Sequence, residues 1–578
     1  MRRALLLCGF SLAMAIVAPA QPLTTLYSFC SQQNCRDGSD SRSALVRATD
    51  GNFYGTTADG GAKGEGTVFG ITPDGTLTTL YSFCMIDDCS DGSQPLSSLV
   101  QYTDGSFYGT TSYVGTVFKI LADGSFTTIY TFCKSDCSDG GGPTAGLAYG
   151  SDGNFYGVTR YGGSPDSDGT VFKITPDGML TTLYRFCPNA PNCSDGATPL
   201  GGLVQGKDGD FYGTTSLGGA HSHGTVFKIA PGGMLTTLYS FCALENCADG
   251  KSPLAKLVQG TDGNFYGTTP AGGANGWGTV FTMTPEGALT TLYSFCSQPN
   301  CADGLQPFSE LVQGTDGNFY GTTTFGGVNE AGTVFKITSD GTLTTIYSFC
   351  SEQQCNDGAY SYTALLQTTD GSFYGTTSSG GKFANGIVFR LMLYPALSVS
   401  KSGKGTVGSV DGHIYCGSAC LYLYKPGTQV TLSAVPALGY TFSGWSGCDN
   451  MNGSYCSVTM SDAKNVAATF ESVSNLNLTS LTFKPTYVRG GRLSAGTLTL
   501  SGPAPEGGLG VALSSDHPGV VHPPSFVVVP GGKSSVGFPV NTFRVKSETT
   551  VMITATVGSS EISGTLVVGA TFLPPSVK

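Results

Sequence analysis

A motif that recurs seven times sets the strongest limit on what this chain can fold into. The block L-T-T-L-Y-S-F-C, with small variations, places its tyrosine at Tyr27, Tyr81, Tyr130, Tyr184, Tyr239, Tyr293 and Tyr347, at spacings of 54, 49, 54, 55, 54 and 54 residues. A D-G-N-F-Y-G block and a G-T-V-F-K-I block recur with the same period. A fixed period of about 50 residues is typical of repeat architectures and is long enough for four strands per unit.

The content of one unit predicts short strands joined by tight turns. Between Leu254 and Cys296 we predict four strands, Leu254–Gln259, Asn264–Thr269, Thr279–Thr284 and Leu289–Phe295. The T-D-G and P-E-G segments between them favour tight turns, and a Gly-rich loop separates the second and third strands. Composition agrees, because glycine is abundant (84 of 578 residues) and charged residues make up only 12%.

The order of the blocks predicts how the repeats close. The chain opens on a lone fourth strand, Leu23–Phe29, and its last unit, Leu365–Leu393, holds only three strands. The first strand is therefore expected to complete the last unit and to remove the exposed sheet edges of an open array. We predict an all-β protein in which residues 21–394 form a seven-bladed β-propeller closed by the N-terminal strand. An open β-solenoid is the alternative.

The N-terminus carries the pattern of an export signal. Residues 1–20 combine Arg2 and Arg3, an apolar core and an Ala18-Pro-Ala20 exit, which is typical of a secretory signal peptide. Cys8 also permits a lipoprotein interpretation, although the apolar run before it is short. No other run of 18 apolar residues occurs, so no transmembrane segment is expected. We predict a protein that is secreted, extracellular or loosely associated with the cell surface.

Charge disfavours one class of partner. The chain has 29 basic and 40 acidic residues, a net charge of −11, and no basic stripe. The release of counterions that drives binding to nucleic acids has no source here, and anionic membranes are disfavoured for the same reason.

The cysteines predict local disulfides. Apart from Cys8, the cysteines form close pairs in a chain with an export signal, which favours disulfides over metal or thiol chemistry. We predict the pairs Cys30/Cys35, Cys84/Cys89, Cys133/Cys137, Cys187/Cys193, Cys242/Cys247, Cys296/Cys301, Cys350/Cys355, Cys416/Cys420 and Cys448/Cys456. A ring of metal thiolates is the alternative, but the spacing of zinc sites is missing.

An Asp-Gly pair follows each cysteine pair of the repeats. The aspartates are Asp37, Asp91, Asp139, Asp195, Asp249, Asp303 and Asp357. Seven carboxylates on one face could hold calcium. We favour a structural interpretation, in which each aspartate closes an Asx-turn of its own loop.

The long loops of the repeats are the predicted binding surface. In a four-stranded blade, the loops between strands two and three and between successive blades share one face, and these are the long and variable ones here. The first set carries the candidate ligand-binding residues Tyr113, Arg160, Tyr161, His221, His223, Trp277, Phe325 and Phe383. Aromatic residues on such loops suit contacts with a glycan or a cell-surface protein, whereas ordinary drift of exposed loops is the alternative. His221-Ser-His223 could place two imidazoles on one side of an extended segment, but no third metal ligand is identifiable.

No catalytic set is identifiable in the repeats. The residue after the first-strand apolar pair is Arg47, Gln101, Tyr149, Gln205, Gln259, Gln313 and Gln367 in the seven copies, which predicts a mostly neutral polar ring if these side chains face the channel. A hydrolase would need an asymmetric set of acid and base groups. The sequence has no nucleophile elbow, zincin helix, P-loop or dinucleotide fingerprint, so we predict neither enzymatic activity nor a cofactor.

The composition changes after the repeats. Residues 395–471 alternate in the manner of strands and carry the last two cysteine pairs, which predicts a small disulfide-stapled β-module. Residues 472–578 hold about seven short alternating segments, which predicts an immunoglobulin-like β-sandwich.

The three blocks identify a family resemblance. The L-T-T-L-Y-S-F, D-G-N-F-Y-G-T-T and G-T-V-F-K-I repeats resemble the bacterial GloVer tandem-repeat family of the choice-of-anchor type, which are exported proteins with variable C-terminal modules. Through G-T-x-V-T-L, G-W-S-G-C and V-A-A-T-F, residues 397–470 are similar to the divergent internalin-type B-repeat. The last segment is similar to bacterial Ig-like domains. The resemblance implies no established activity, and the expected C-terminal anchor is not apparent.

These observations favour a secreted, non-enzymatic binding or adhesion protein whose loop face recognises a glycan or a protein. Two alternatives stay open. One is an extracellular propeller enzyme acting on a polysaccharide or a lactone, and the other is a purely structural envelope or matrix protein.

Overall fold

The computed structural model describes residues 23–163, 168–188, 193–416, 419–461, 463–472 and 476–571. These residues form two compact units, divided between Leu393 and Tyr394. The predicted signal peptide, residues 1–20, lies outside the described residues, as do residues 572–578.

The first unit is built from seven four-stranded antiparallel sheets, numbered here in chain order. The chain enters with β1 (Leu23–Ser28). Sheets 1 to 3 contain β2 (Val46–Arg47), β3 (Phe53–Thr57), β4 (Thr67–Ile71), β5 (Leu77–Ser82); β6 (Val100–Gln101), β7 (Phe107–Thr111), β8 (Thr116–Ile120), β9 (Phe126–Thr131); and β10 (Ala148–Tyr149), β11 (Phe155–Thr159), β12 (Thr170–Ile174), β13 (Leu180–Arg185).

The remaining sheets of this unit repeat the same pattern. Sheets 4 to 6 contain β14 (Val204–Gln205), β15 (Phe211–Thr215), β16 (Thr225–Ile229), β17 (Leu235–Ser240); β18 (Val258–Gln259), β19 (Phe265–Thr269), β20 (Thr279–Met283), β21 (Leu289–Ser294); and β22 (Val312–Gln313), β23 (Phe319–Thr323), β24 (Thr333–Ile337), β25 (Leu343–Ser348). Sheet 7 contains β26 (Leu366–Gln367), β27 (Phe373–Thr376), β28 (Ile387–Leu391) and, at its outer edge, β1. Short 3-10 turns occupy Gln33–Cys35, Asp87–Cys89, Glu245–Cys247, Pro299–Cys301 and Gln353–Cys355.

Aromatic side chains of the F-Y-G strands join each sheet to the next. The tyrosine of one sheet packs on the phenylalanine of the following sheet, because neighbouring residues of a strand point to opposite faces. The ring pairs, with centroids 3.9–4.4 Å apart, are Tyr54–Phe107, Tyr108–Phe155, Tyr156–Phe211, Tyr212–Phe265, Tyr266–Phe319, Tyr320–Phe373 and, from sheet 7 to sheet 1, Tyr374–Phe53. This succession of packed four-stranded sheets is a β-propeller-like all-β fold.

The glycine of the F-Y-G block has a steric reason. A Cβ at Gly267 would lie 2.6 Å from Cζ of Phe281, which fills the space above it with one of the buried rings of the core. Such a contact is closer than carbon atoms tolerate, so a larger residue would displace the ring. The same approach recurs at the equivalent glycine of the other six sheets.

The N-terminal strand pairs with the last strand of the repeats, as predicted. Strand β1 runs antiparallel to β28, with Leu23 opposite Leu391 and Ser28 opposite Ile387. Thr376 of sheet 7 also donates its hydroxyl hydrogen to the carbonyl of Ser43 beside sheet 1, at 3.2 Å. Backbone pairing and side-chain contacts therefore join the two ends of the repeat region.

The innermost strands are shorter than predicted. The expected strand Leu254–Gln259 is reduced to Val258–Gln259, and the equivalent strand of every sheet has two residues. The preceding residues have no strand partner on the channel side, and they satisfy their backbone groups elsewhere. The carbonyl of Ala255, for example, accepts a hydrogen bond from the Thr214 hydroxyl of the neighbouring sheet.

The second unit contains four further sheets. Its first two sheets comprise β29 (Ala396–Ser402), β30 (Gly405–Ser409), β31 (Tyr415–Cys416), β32 (Ala419–Leu423), β33 (Gln429–Pro436), β34 (Tyr440–Ser446), β35 (Asn450–Asn452), β36 (Tyr455–Thr459) and β37 (Lys464–Ser472). The other two comprise β38 (Leu478–Lys484), β39 (Tyr487–Arg489), β40 (Leu493–Leu500), β41 (Leu509–Ser515), β42 (Val521–His522), β43 (Phe526–Val529), β44 (Ser535–Thr542), β45 (Thr549–Val557) and β46 (Ser560–Gly569).

Each pair of sheets in the second unit encloses its own apolar core. Leu397, Leu432 and Val466 belong to the first core, and Leu498 and Val551 belong to the second. Strand β29 pairs in parallel with β37, and β39 pairs in parallel with β46, so the pairing is not antiparallel throughout. The immunoglobulin-like designation of the last segment stays a prediction.

Removal of the N-terminal strand should destabilise the first unit. A chain lacking Leu23–Phe29 exposes the edge of β28 and loses the buried Phe29 ring, which packs 5.3 Å from Phe69 of sheet 1. We expect a clearly lower Tm by calorimetry. The control is Thr24→Lys, an exposed side chain whose replacement keeps the backbone pairing and should leave Tm unchanged. An equal Tm for the deletion variant and the full chain would contradict the role of this strand.

Candidate functional site

All nine predicted cysteine pairs are disulfide-bonded in the structure. Seven of them close the loop that follows the fourth strand of a repeat, namely Cys30–Cys35, Cys84–Cys89, Cys133–Cys137, Cys187–Cys193, Cys242–Cys247, Cys296–Cys301 and Cys350–Cys355. The other two, Cys416–Cys420 and Cys448–Cys456, lie in the second unit. Closing such short loops restricts the unfolded chain and holds the loops of one face in place.

Each Asp-Gly aspartate is consumed by the loop that it belongs to. Asp37 is fully buried and accepts hydrogen bonds from the Tyr27 hydroxyl (2.8 Å) and from the backbone N–H groups of Ser31 (2.8 Å) and Gln32 (3.1 Å). The structural interpretation therefore holds, but the predicted Asx-turn is wrong, since the carboxylate reaches five and six residues back along the chain. The equivalent tyrosine–aspartate bond is present in all seven repeats.

Burial shifts the tyrosines of these pairs. Loss of hydration, together with the neighbouring carboxylate, raises the pKa of Tyr27, Tyr130, Tyr184 and Tyr293 to about 12. The phenol therefore stays neutral and acts as a donor to a buried charge, which is a structural task rather than a catalytic one.

The predicted polar ring of glutamines also has a structural task. Gln259 accepts a hydrogen bond from the N–H of Lys207 in the preceding sheet (2.9 Å) and donates to the carbonyl of Gly263 in its own turn (2.9 Å). Gln101, Gln205, Gln313 and Gln367 make the same bond to the preceding sheet. These side chains tie neighbouring T-D-G turns together on the short-turn face, and Arg47 and Tyr149 occupy the two positions where the glutamine is replaced.

The long-loop face has an equally regular backbone. One residue after each Asp-Gly adopts a left-handed conformation, and in six repeats it is not glycine; these are Asp40, Gln94, Thr198, Ser252, Gln306 and Tyr360. Each of them donates its N–H to a loop carbonyl of the preceding sheet, as in Tyr360 to Ala331 (2.9 Å) and Asp40 to Asn385 (3.2 Å). Non-glycine residues in this conformation cost energy, so the surrounding contacts must hold them in place.

The loops between the second and third strands repeat one geometry with different side chains. In six of them, two positions form backbone bridges. The first position is Asp59, Tyr161, Leu217, Ala271, Phe325 and Ser379, and the second is Glu65, Asp168, His223, Trp277, Ala331 and Asn385. The backbone is therefore constant where the sequence varies most.

The predicted ligand-binding residues lie on this face but do not form one cluster. Tyr113 (76% exposed), Tyr161 (46%), Trp277 (44%) and Phe383 (39%) are open to solvent. Arg160 and His221 are exposed too, whereas His223 and Phe325 are partly buried. The eight residues are distributed over six sheets, and no aromatic contact among the described residues joins two of these loops.

The histidine pair does not form the predicted metal fragment. Ser222 between the two histidines has a φ of 62°, so the segment is not extended as we expected. His223 instead lies close to the sulfurs of Cys242 and Cys247. These sulfurs are bonded to each other and are not free thiolates.

A central cavity of about 380 Å³ is lined by residues that precede the first strand of every sheet. Its rim position is occupied by Arg42, Leu96, Thr144, Leu200, Leu254, Phe308 and Tyr362, going once around the ring. The next inward position carries a Lys256–Glu310 ion pair at 4.0 Å. The cavity is therefore apolar or small-sided along sheets 2 to 4, and aromatic and charged along sheets 5 to 7 and sheet 1.

We name the group Asp40, Arg42, Asp59, Phe308, Phe325, Tyr360 and Tyr362 the mouth cluster. Sequence analysis missed it, although its members depart from the residues that the other repeats carry at the same positions. That departure was the available signal, and it pointed to the channel only once the ring was known.

Two family models match the chain. The Gloeobacter/Verrucomicrobia repeat matches residues 14–138, 112–248 and 243–419, which together cover more than half of the sequence. The divergent InlB B-repeat domain matches residues 396–474 and confirms the resemblance inferred for residues 397–470. No curated protein matches the chain.

Several solved structures are similar to the first unit at low identity. A streptogramin B lyase is 17% identical, with a TM-score of 0.43, over 64% of this chain and 97% of the lyase. A catalytically inactive virginiamycin B lyase from Staphylococcus aureus with quinupristin is 13% identical, with a TM-score of 0.42, over 64% of this chain and 99% of that one. A gluconolactonase from Xanthomonas campestris is 13% identical, with a TM-score of 0.32, over 64% and 88%. No activity is transferred to this chain from these structures.

The buried tyrosine–aspartate pair should stabilise the repeats measurably. Tyr293→Phe removes the bond to Asp303, whose carboxylate is fully buried, and we expect a loss of about 1.5–3 kcal/mol in the free energy of unfolding. Urea denaturation provides the measurement. Tyr113→Phe, at an exposed phenol, is the matched control and should change nothing. A loss no larger in Tyr293→Phe than in this control would show that the pair is dispensable.

Alkaline pH should weaken the same pairs. A folded-state pKa of about 12 for Tyr27 and Tyr293, against 10.0 for an unperturbed tyrosine, means that their contribution to stability is complete below pH 10 and is lost as the pH rises towards 12. Phenolate absorbance should show a tyrosine class that titrates near pH 12 in the folded protein. If all tyrosines titrated together near pH 10 while the protein stayed folded, the burial of these pairs would be refuted.

Proposed function

The chain belongs to the Gloeobacter/Verrucomicrobia repeat family, and from this premise we propose that it is an extracellular, non-enzymatic binding or adhesion protein. In this proposal the seven sheets form a seven-bladed propeller that β1 closes. The long-loop face recognises a glycan or a protein on a cell surface. The B-repeat module, residues 396–474, and the β-rich segment after it act as spacer or attachment.

The observation that carries the proposal is the contrast between a constant backbone and variable side chains on one face. The same bridges recur in six loops, while the residues at the bridged positions change from Asp59 to Tyr161, Phe325 or Ser379. The opposite face shows no such variation, because its short turns repeat the T-D-G pattern and its glutamines hold them together. A rigid frame that displays different side chains is the usual arrangement of a recognition surface.

The chemistry of the displayed side chains fits recognition. Tyr113, Tyr161, Trp277 and Phe383 are large aromatic residues that remain open to solvent. Aromatic rings of this kind contribute strongly to contacts with sugars and proteins and lose little conformational entropy on binding. Burying them against a ligand would remove their apolar surface from water.

The covalent chemistry supports an extracellular location. Nine disulfides would not persist in a reducing cytosol, whereas they are normal in exported proteins. Within the described residues, the structure has no helix with the length and hydropathy of a membrane span. Export through the signal peptide of residues 1–20 is part of the proposal.

The proposal is tested by screening the full chain without residues 1–20 against a glycan array and against extracellular proteins. Variants Tyr161→Ala and Trp277→Ala should weaken any binding by about tenfold or more, as expected of exposed aromatic anchors. Met234→Ala is the matched control, because this side chain is 76% exposed but sits in a short turn on the opposite face. Binding that both loop variants leave intact and Met234→Ala abolishes would reverse the assignment of the face.

A failure to bind any glycan or protein would contradict the proposal. Turnover of a panel of polysaccharides and lactones by the same preparation would contradict the non-enzymatic part of it. Both measurements use the protein as it is exported, with its disulfides intact.

A further inference from the structure

The mouth cluster breaks the equivalence of the repeats at one side of the central cavity. At the rim position, sheets 2, 4 and 5 carry the aliphatic residues Leu96, Leu200 and Leu254, whereas Phe308 and Tyr362 stand there in sheets 6 and 7. The frame around the cavity needs no aromatic residue at this position, since most sheets do without one. The aromatic half of the rim therefore has no explanation in the stability of the ring.

Aromatic rings form two contacts at this side. Phe308 and Tyr362 have ring centroids 5.6 Å apart, with planes inclined by 44°. Phe325 and Tyr360, on the loops just above, are 5.4 Å apart and inclined by 55°. Tyr360 is 36% exposed, and it occupies a left-handed backbone position with a φ of 57°. The chain thus accepts backbone strain to present this phenol at the mouth.

Polar groups stand beside these rings with their own geometry fixed. Arg42 lies over the Tyr362 ring, 5.2 Å from its centroid, and its Nε donates to both carboxylate oxygens of Asp40 at 3.0 Å. The Asp59 carboxylate is exposed and makes no hydrogen bond to another described residue. The hydroxyls of Tyr360 and Tyr362 likewise have no hydrogen-bond partner within the described part of the chain.

The balance of charge selects against charged ligands. The positive charge of Arg42 is already neutralised by Asp40, and that of Lys256 is opposed by Glu310. Asp59 remains as an unpaired negative group, so an anionic ligand would meet repulsion and no free cation. A neutral polyol faces neither problem, since carboxylate oxygens and phenol hydroxyls bond to its hydroxyl groups while its C–H face packs on an aromatic ring.

We propose that the mouth cluster is a binding site for a neutral pyranose at the end or in the course of a glycan chain. In this site Tyr360 and Tyr362 stack against the sugar, Asp59 and the Asp40–Arg42 pair bond to its hydroxyl groups, and Phe308 and Phe325 support the two tyrosines. The cavity beneath, about 380 Å³, is at the lower end of the range of small-ligand sites. The proposal rests on the proposed function and gives the recognition face a defined ligand class and place.

The test uses the exported chain and an array that carries neutral oligosaccharides (gluco-, manno- and xylo-oligosaccharides) and acidic ones (oligogalacturonates). We expect binding to at least one neutral series and none to the acidic series. Tyr362→Ala and Tyr360→Ala should each reduce the affinity for the neutral ligand by about tenfold or more, measured by titration calorimetry. Asp59→Asn, an exposed substitution that does not disturb the frame, should reduce it by a smaller factor.

The matched control is Leu200→Ala, which changes the equivalent rim position on the other side of the cavity and should alter the affinity less than about twofold. Folding of each variant is checked by its Tm. Binding confined to the acidic series, or equal effects of Leu200→Ala and Tyr362→Ala, would overturn the site.

The failure of this site and the failure of the proposed function give different results. If a glycan or a protein binds and Tyr161→Ala or Trp277→Ala weakens that binding while Tyr362→Ala and Tyr360→Ala do not, the recognition face stands and the mouth cluster is not its sugar site. If neither the array nor the protein screen finds a ligand, both are wrong.

Discussion

Stacking between the F-Y-G strands of neighbouring sheets is the interaction on which the rest of the first unit depends. Because Phe and Tyr alternate along the strand, every sheet offers one ring to the sheet before it and one to the sheet after it, as Phe107 and Tyr108 do. Such pairs contribute about 0.5–1.5 kcal/mol each beyond the burial of their area. The same contact joins Tyr374 to Phe53, so the last sheet meets the first one as any other two neighbours meet.

The polar residues of the repeats protect this arrangement instead of performing chemistry. A buried carboxylate such as Asp303 would be costly alone, and the hydroxyl of Tyr293 together with two backbone N–H groups satisfies it. The glutamines serve the turns in the same way. Chemistry that is not absorbed by the frame is therefore concentrated where the repeats differ, on the exposed loops and at one side of the channel. This division is the reason to look for recognition there.

Sequence alone predicted the frame well, because identical blocks must occupy equivalent places. The strand order, the pairing of Leu23 with the end of the repeats and all nine disulfides follow from block order and cysteine spacing. Prediction failed where a position depends on neighbours from other repeats. The cluster around Arg42 and Tyr362 joins residues some 320 positions apart, and the short inner strands end where residues such as Ala255 turn to the adjacent sheet. Nothing local in the sequence marks either contact.

Amide hydrogen–deuterium exchange of the intact chain tests most directly whether the ring is closed by its own N-terminal strand. Strand β1, Leu23–Ser28, pairs with Ile387–Leu391, so the account predicts that its amides are protected as strongly as those of the equivalent outer strand Leu343–Ser348 in sheet 6. Slow exchange of β1 and β28 together would be the expected result. Exchange of Leu23–Ser28 at the rate of an unstructured peptide, while Leu343–Ser348 stays protected, would contradict the account.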